Sequence, residues 1–423
     1  MSFRFGRAIG LACAALAFLA ACPGPCARAE DWPRWRGPRL DGISRETGLL
    51  KEWPKEGPRQ LWKAPLSGGF SSMAVADGLV FTQTKEKDQE VVVCLDAATG
   101  KDVWRYRYDC DYAAHKTFTG GGMPASRTGP RATPAVDGGR VYALGATGVL
   151  LCLEAKTGKK VWQQDLLKLA GSDCPRHGYC GSPLVVGDRV YVEPGGPKGK
   201  SVAALNKKDG SVVWQALDDP IGQSSPIWAE VGGAGQVIFF TGAGAVGVAP
   251  ADGHALWRFP WQTRPLIHIA TPLYADGHVF ISSDYGTGGA VFRLKEKGDP
   301  ETVWNKKTMQ NHLSTSVLYE GHLYGVSDGR LRCLDFRTGE AKWNKVGLGR
   351  GWVIVADGQL IALGDHGELF LAKATPKQYV EVSRCTVLDR DKLTWSAPVV
   401  SGGRLFIRNE NALVALDLTG KKK

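Results

Sequence analysis

Apolar residues fall in short runs along the whole chain, separated by glycine-rich turns. Runs such as Arg140-Val141-Tyr142-Ala143-Leu144 alternate with polar positions and predict strands, and no stretch carries a convincing amphipathic helix of useful length. Strands that open a unit recur at 72–75, 133–136, 182–185, 225–228, 271–274, 315–318, 352–355 and 396–399. Most then turn through an Asp-Gly or Gly-Gly pair, such as Asp357-Gly358, into a second strand.

A second pattern closes each unit. Residues 94–104 read Cys-Leu-Asp-Ala-Ala-Thr-Gly-Lys-Asp-Val-Trp, and 152–162 and 333–343 repeat the design. Looser copies end at Trp214 and Trp257, and a copy ending at Trp304 carries two extra residues in its Lys297-Gly298-Asp299-Pro300 turn. The spacing predicts a hairpin: an acidic residue opens the turn, glycine takes positive φ, and the second strand carries the Trp. Trp62, Trp104, Trp162, Trp214, Trp257, Trp304 and Trp343 are therefore expected to dock each sheet on its neighbour. The degenerate seventh unit has Tyr379 near the Trp position and Thr375-Pro376 in place of Thr-Gly.

Residues 59–420 divide into eight units of about 45 residues, the size of a four-stranded propeller blade. The last unit stops at Thr419-Gly420 before any Trp, whereas Trp62 stands near the start with no strands before it. An all-β, eight-bladed β-propeller closed by an N-terminal strand accounts for both, leaves no free sheet edges within the ring, and is expected to be a monomer.

Composition changes the picture at the N-terminus. Arg4 and Arg7, an apolar run over 9–21 and Ala27-Arg28-Ala29 predict a signal peptide over 1–29. Leu19-Ala20-Ala21-Cys22 reads alternatively as a lipobox, which would leave a lipid anchor on Cys22. Either places the protein in the periplasm or cell envelope. Residues 30–58, with Trp32-Pro33-Arg34-Trp35-Arg36-Gly37-Pro38, form an irregular extension expected to lie against the outside of the domain, and 421–423 are a basic tail.

Without residues 1–29 the chain keeps fifty basic and forty-two acidic residues, a net +8. That modest excess argues against a nucleic-acid binder. Of the seven remaining cysteines, Cys94, Cys152 and Cys333 share one repeat position as small buried hydrophobes. Cys110, Cys174 and Cys180 lie in loops, where one disulfide is permitted. Cys174 with His177 and Cys180 has no matching second half, so no metal is assigned.

The repeat resembles the pyrroloquinoline quinone (PQQ) repeat family, which includes quinoprotein alcohol dehydrogenases and the lipoprotein propeller of the outer-membrane barrel assembly machinery. Residues 32–38 and Gly349-Arg350-Gly351 resemble envelope propellers of planctomycete-type bacteria. The resemblance implies either a PQQ-dependent dehydrogenase with Ca²⁺ or a non-enzymatic binding and scaffolding propeller. The enzymes of this family typically carry a vicinal Cys-Cys pair, carboxylate and amide calcium ligands and an Asp base. This chain has no adjacent cysteines, and Glu193, Asp284 and Asn409-Glu410-Asn411 are only scattered candidates. A hydrolase is also unsupported: His115, His177, His268 and His312 occur without a Gly-x-Ser-x-Gly or His-Glu-x-x-His motif.

The binding reading therefore rests on the links that enter the central mouth. They carry Arg131, His177, Gln223, His268, His312, Arg350, Trp352 and Trp395, and the longest also holds His115, Lys116 and Gly120-Gly121-Gly122. Across these links fifteen Lys and Arg face seven Asp and Glu, which accounts for the whole excess charge. A basic, aromatic mouth is expected to receive an envelope protein, an anionic small molecule or an acidic glycan. The export reading is checked by intact mass from the native host: the protein should begin at Glu30, or at Cys22 bearing diacylglyceryl, and a full-length product overturns it.

Overall fold

In the computed structural model, which describes residues 1–2, 30–110, 112, 129–263 and 268–420, each repeat folds as a sequential antiparallel sheet. The signal segment, Cys22, His115, Lys116, Gly120–Gly122 and the basic tail lie outside these residues. Eight sheets form an eight-bladed β-propeller with almost no helix; Leu166–Ala170 is a single short turn of it.

Blade one shows how the sequence produces the sheet. Its inner strand is Ala74–Ala76, followed by Leu79–Glu86, Gln89–Asp96 and the outer Asp102–Asp109. Neighbouring blades cover both faces of the third strand, so Val91-Val92-Val93-Cys94-Leu95 is uninterrupted apolar sequence and fully buried. Asp96 Oδ1 accepts hydrogen bonds from the Ala98 and Thr99 amides and the Thr99 hydroxyl, which shapes the turn. Gly100 then takes φ 70° and a bulge sets Trp104 opposite Cys94.

The tryptophans join blades in one repeated contact. Trp104 Nε1 donates to Ala155 O in the turn of blade two, Trp162 to Lys207 O, Trp214 to Pro250 O, Trp304 to Phe336 O and Trp343 to Thr375 O. Trp62 closes the ring by donating to Ala97 O of blade one. The turn glycines Gly100, Gly158, Gly210, Gly253 and Gly339 lie flat against these indoles, where a Cβ would come within 2.7 Å. Trp257 is the exception: the longer turn of blade five moves Gly298 out of reach, and its N–H turns to Gln236 Oε1 of its own blade.

Blade eight combines Val399–Ser401, Arg404–Arg408 and Ala412–Asp417 with Gln60–Pro65 from the other end of the chain, and Trp62 pairs with Ala415. Arg408, fully buried, reaches across the same junction to Thr82 Oγ1 and the carbonyls of Gln83, Gly68 and Gly69 in and before blade one.

Two expectations are corrected. In blade seven Ser383, not Tyr379, occupies the Trp position, opposite Leu371 at the bulge; Tyr379 instead packs edge-on against Trp343. The missing indole is replaced from the N-terminal segment. Trp53 donates its amide to Ser383 Oγ and is buried beside Cys385, while Leu50 packs on Gly420, where blade seven's indole would have sat.

The larger correction concerns residues 30–48, which fill the central channel rather than lying outside. Trp32 exchanges two backbone hydrogen bonds with Val75 of blade one, and Pro33 O accepts from Val136 N of blade two. Arg34 donates to Val185 O of blade three, and Leu40 packs into the clusters on both sides of blade four. Trp35 Nε1 donates to Thr271 Oγ1 of blade five, and Arg36 to Ser316 O of blade six. Ile43–Ser44 pairs in parallel with Val355 and Ala356 of blade seven. The Glu46 carboxylate accepts the amides of Gly402 and Gly403 in blade eight. Several inner strands, Ala74–Ala76, Ala135–Asp137 and Val399–Ser401 among them, are short and small-sided, so the axis would otherwise be a void flanked by unpaired backbone.

Two glycines separate backbone strain from indole contact. Gly298→Ala meets nothing within 4 Å and carries only the positive-φ cost, about 1–2 kcal/mol. Gly339→Ala has a similar φ but meets Trp304 at 2.7 Å, and should lose ~1–3 kcal/mol more in urea denaturation. Trp343→Ala should cost about 3–5 kcal/mol. Equal losses at the two glycines would overturn the docking account.

Candidate functional site

The links between blades enter one face, the top, before each inner strand begins. Hydroxyls near the start of those strands stitch them together. Thr133 N donates to Ser182 Oγ, Ser182 N to Ser225 Oγ, and Thr271 N to Thr315 Oγ1; Ser72 Oγ donates to Ala397 O. These contacts explain the Ser and Thr that open so many units and fix the rim of the channel. Above the rim the channel widens into a cavity of about 230 Å³. Trp35 closes its lower end, edge-on to Trp352 at 5.3 Å. The cavity is a blind cup.

Six of the seven mouth candidates other than Trp352 line the cup with it: Arg131, His177, Gln223, His312, Arg350 and Trp395. His268 does not. It is fully buried, stacked 4.5 Å from Phe240, with Nδ1 2.5 Å from Thr241 O, and so serves the core of blade four. Gln223 accepts from the Cys180 thiol, and Trp352 Nε1 donates to Trp395 O. Trp395 in turn packs on Phe70 at 5.0 Å.

Sequence reasoning missed Trp35, Phe70 and Tyr285. Tyr285 sits at the tip of the hairpin between His278–Ser283 and Gly288–Arg293 with φ 56°, where a bulky side chain is costly. Its hydroxyl lies 2.8 Å from His312 Nε2. The signal was present: Asp284-Tyr285-Gly286 puts an aromatic residue where a two-residue turn favours Asn or Asp.

The electrostatics are one-sided. Burial holds both imidazoles below their usual range, with Arg131 and then Arg176 adding to this at His177. At His312 burial and Arg350 lower the pKa, Asp284 opposes them, and His177 lowers it further. Arg131 and Arg350 therefore supply the permanent charge. Arg131 Nη1 donates to His177 O at 2.9 Å, and the Arg350 amide donates to Asp365 Oδ2. No Asp or Glu is among the described residues that line the cup.

That donor set decides the fit to a calcium-held quinone. Among the described residues no three His, Cys, Asp or Glu side chains converge as a metal site. Glu193 lies behind the wall in a much smaller cavity, accepting from the Gly222 amide. Asn409 caps its own turn through the amides of Asn411 and Ala412, and the Asp284 carbonyl accepts from Thr287 N. Among the described residues the cup offers neither carboxylate ligands nor a carboxylate base, and these residues do not fit that group.

Fold and site define a closed propeller with a blind, basic and aromatic cup at one end of its axis. A family model described as outer membrane protein assembly factor BamB matches residues 43–115 and 87–345, and the chain belongs to this PQQ-like repeat family. BamB of Yersinia pestis is 27% identical over 292 residues, covering 65% of this chain and 70% of that protein. The crystal structure of BamB from Moraxella catarrhalis superposes with a TM-score of 0.60 at 16% identity, over 85% of this chain and 99% of that one. A europium-containing methanol dehydrogenase gives 0.67 at 12% identity over 89% of each chain. At such identities the structural likenesses establish a common fold.

Glu193 supplies a test of the wall. Burial first, then Asp219, push its carboxyl up to about 8, against the Gly222 hydrogen bond. A raised carboxyl favours the folded state fully below about pH 4.5, and that stability is lost as pH rises towards about 8. Glu193→Gln keeps an acceptor for Gly222 without a charge. It should raise the melting temperature at pH 9 and leave it unchanged at pH 4; the opposite order overturns the assignment.

Proposed function

We propose that this protein is a non-enzymatic binding and scaffolding propeller of the bacterial cell envelope, receiving an anionic ligand or the end of a partner at its mouth. The observation that carries the reading is the blind cup itself: cationic and aromatic walls, a Trp35 floor and no lining carboxylate among the described residues. Such a cup can concentrate and hold an anion, but it supplies no general base of the carboxylate kind. Membership of the family described as an outer membrane protein assembly factor supports a role alongside envelope proteins in barrel assembly. Residues 1–29 supply the route of export on this reading, by cleavage or by lipidation at Cys22.

The test is complementation. Deleting the gene in the native host should lower assembled outer-membrane β-barrels, measured by mass spectrometry of heat-modifiable species. Wild type should restore them, and a folded Arg131→Glu/Arg350→Glu variant should not. Unchanged barrel levels on deletion overturn the scaffolding role, and full rescue by the variant overturns the mouth. Alcohol oxidation by purified protein given PQQ and Ca²⁺, abolished by chelator, would favour a quinoprotein dehydrogenase instead.

A further inference from the structure

Tyr285 differs from the residues that occupy the same backbone position elsewhere in the chain. It and Gly286 both take positive φ, 56° and 77°, in a turn closed by the Thr287 amide on the Asp284 carbonyl. Among the described residues, a non-glycine residue opens two-residue turns of this conformation between neighbouring strands at 77, 276, 320, 328 and 357. Each time it is an acid: Asp77, Asp276, Glu320, Asp328 or Asp357. Asp tolerates positive φ because its short side chain bonds locally, whereas a phenol ring does not.

The fold gains little from the exchange. Tyr285 is 50% exposed and meets His312, with its hydroxyl 2.8 Å from Nε2 and the rings 5.3 Å apart. That contact occupies one imidazole nitrogen and leaves the other, Nδ1, buried with no partner among the described residues. Backbone strain and an unsatisfied buried nitrogen are thus both spent on holding one ring at the rim, which is the pattern of a contact residue rather than a structural one. The hairpin over 278–293 and the links over 307–316 and 347–352, which carry Tyr285, His312 and Arg350, are described throughout.

The cup below is small: its volume of about 230 Å³ lies under the ~300–1,000 Å³ usual for small-molecule pockets. It fits the end of something larger, whose remainder passes over the rim where Tyr285, Leu313 and Arg350 stand. Tyr, Trp and Arg are the side chains that anchor polypeptide partners. From this, and resting on the cup as the binding site, we infer that the occupant is a polypeptide segment that places a carboxylate in the cup and lays the residues beside it on Tyr285, the specificity-determining residue. The turn and His312 fix the ring in advance, so little ordering remains to be done on binding. His312 is a positioning residue for Tyr285, and Arg350 favours the carboxylate.

The experiment probes the full mature protein on an array of random hexapeptides, each present with a free and with an amidated C-terminus, beside an array of acidic saccharides. Wild type should select peptides bearing a carboxylate and prefer apolar side chains next to it by at least fivefold. Tyr285→Asn should lose that preference and keep the selection for a carboxylate. It should melt no lower than wild type, because Asn suits the turn and offsets the exposed hydrogen bond lost. Tyr285→Phe, which keeps the ring, should hold the preference within twofold. A preference that survives Tyr285→Asn, or is lost equally in Tyr285→Phe, overturns the role of the ring, and a lower melting temperature in Tyr285→Asn returns the residue to the fold. No selected peptide, or selection of saccharides alone, overturns the polypeptide, while complementation by Arg131→Glu/Arg350→Glu decides the cup separately. With the inference upheld, selection of amidated peptides assigns the carboxylate to an Asp or Glu side chain, and selection confined to free ends assigns it to a C-terminus.

Discussion

An eight-bladed ring cannot fill its own axis, and this constraint governs the rest of the molecule. The inner strands Ala74–Ala76, Ala135–Asp137 and Val399–Ser401 are three residues long and carry small side chains. They leave both empty volume and backbone groups facing it. Residues 30–48 answer both needs with two tryptophans, a buried arginine and a buried glutamate. Arg36 is buried and donates to three main-chain carbonyls, those of Leu40, Asp41 and Ser316, and burial lowers its pKa to about 10 against the pull of Asp41. Removing its guanidinium would strand three carbonyls, so the cation is a structural pin rather than a binding group.

Ring closure uses the same physics. Arg408 ties blade eight to blade one through Thr82 and three carbonyls, and burial draws its pKa down to about 9. Leu50 and Trp53 then repair the adjoining gap where blade seven lacks its indole. One N-terminal segment therefore fills the channel, seals the blade interface that lacks its indole and supplies the outer strand of the last blade. The degenerate blade lies where that segment crosses, which is why its Trp could be lost without opening the ring.

The blades were legible because their signals are local. Asp96, Thr99, Gly100 and Trp104 lie within nine residues and recur at one spacing, so turn chemistry and burial could be read together. The channel filling was not legible. Pro33, Arg34 and Gly37 look like exposed loop, and nothing local says that Arg36 will find Ser316 O, 280 positions away. The mouth was half legible, since every link ends near the axis but the last rotation of each residue depends on its neighbours. His268 and His312 occupy equivalent links. His268 turns inward because Phe240 offers a stacking face, whereas His312 meets Tyr285 at the rim. Trp35 was missed for the reason that the whole segment was.

The two ends of the axis consequently have different characters. The channel filling begins at Glu30, whose carbonyl accepts from Ser401 Oγ at the bottom of blade eight, and Trp32 meets Val75 at the bottom of blade one. The cup opens on the opposite face, where the links gather their arginines and histidines. The floor of the cup is made by the same N-terminal segment that fills the channel. Trp35 joins the two, held by Thr271 and Trp352 at the boundary between filled channel and open cup. The depth of the cup is thus set by the N-terminal segment, and the chemistry of its walls by the propeller.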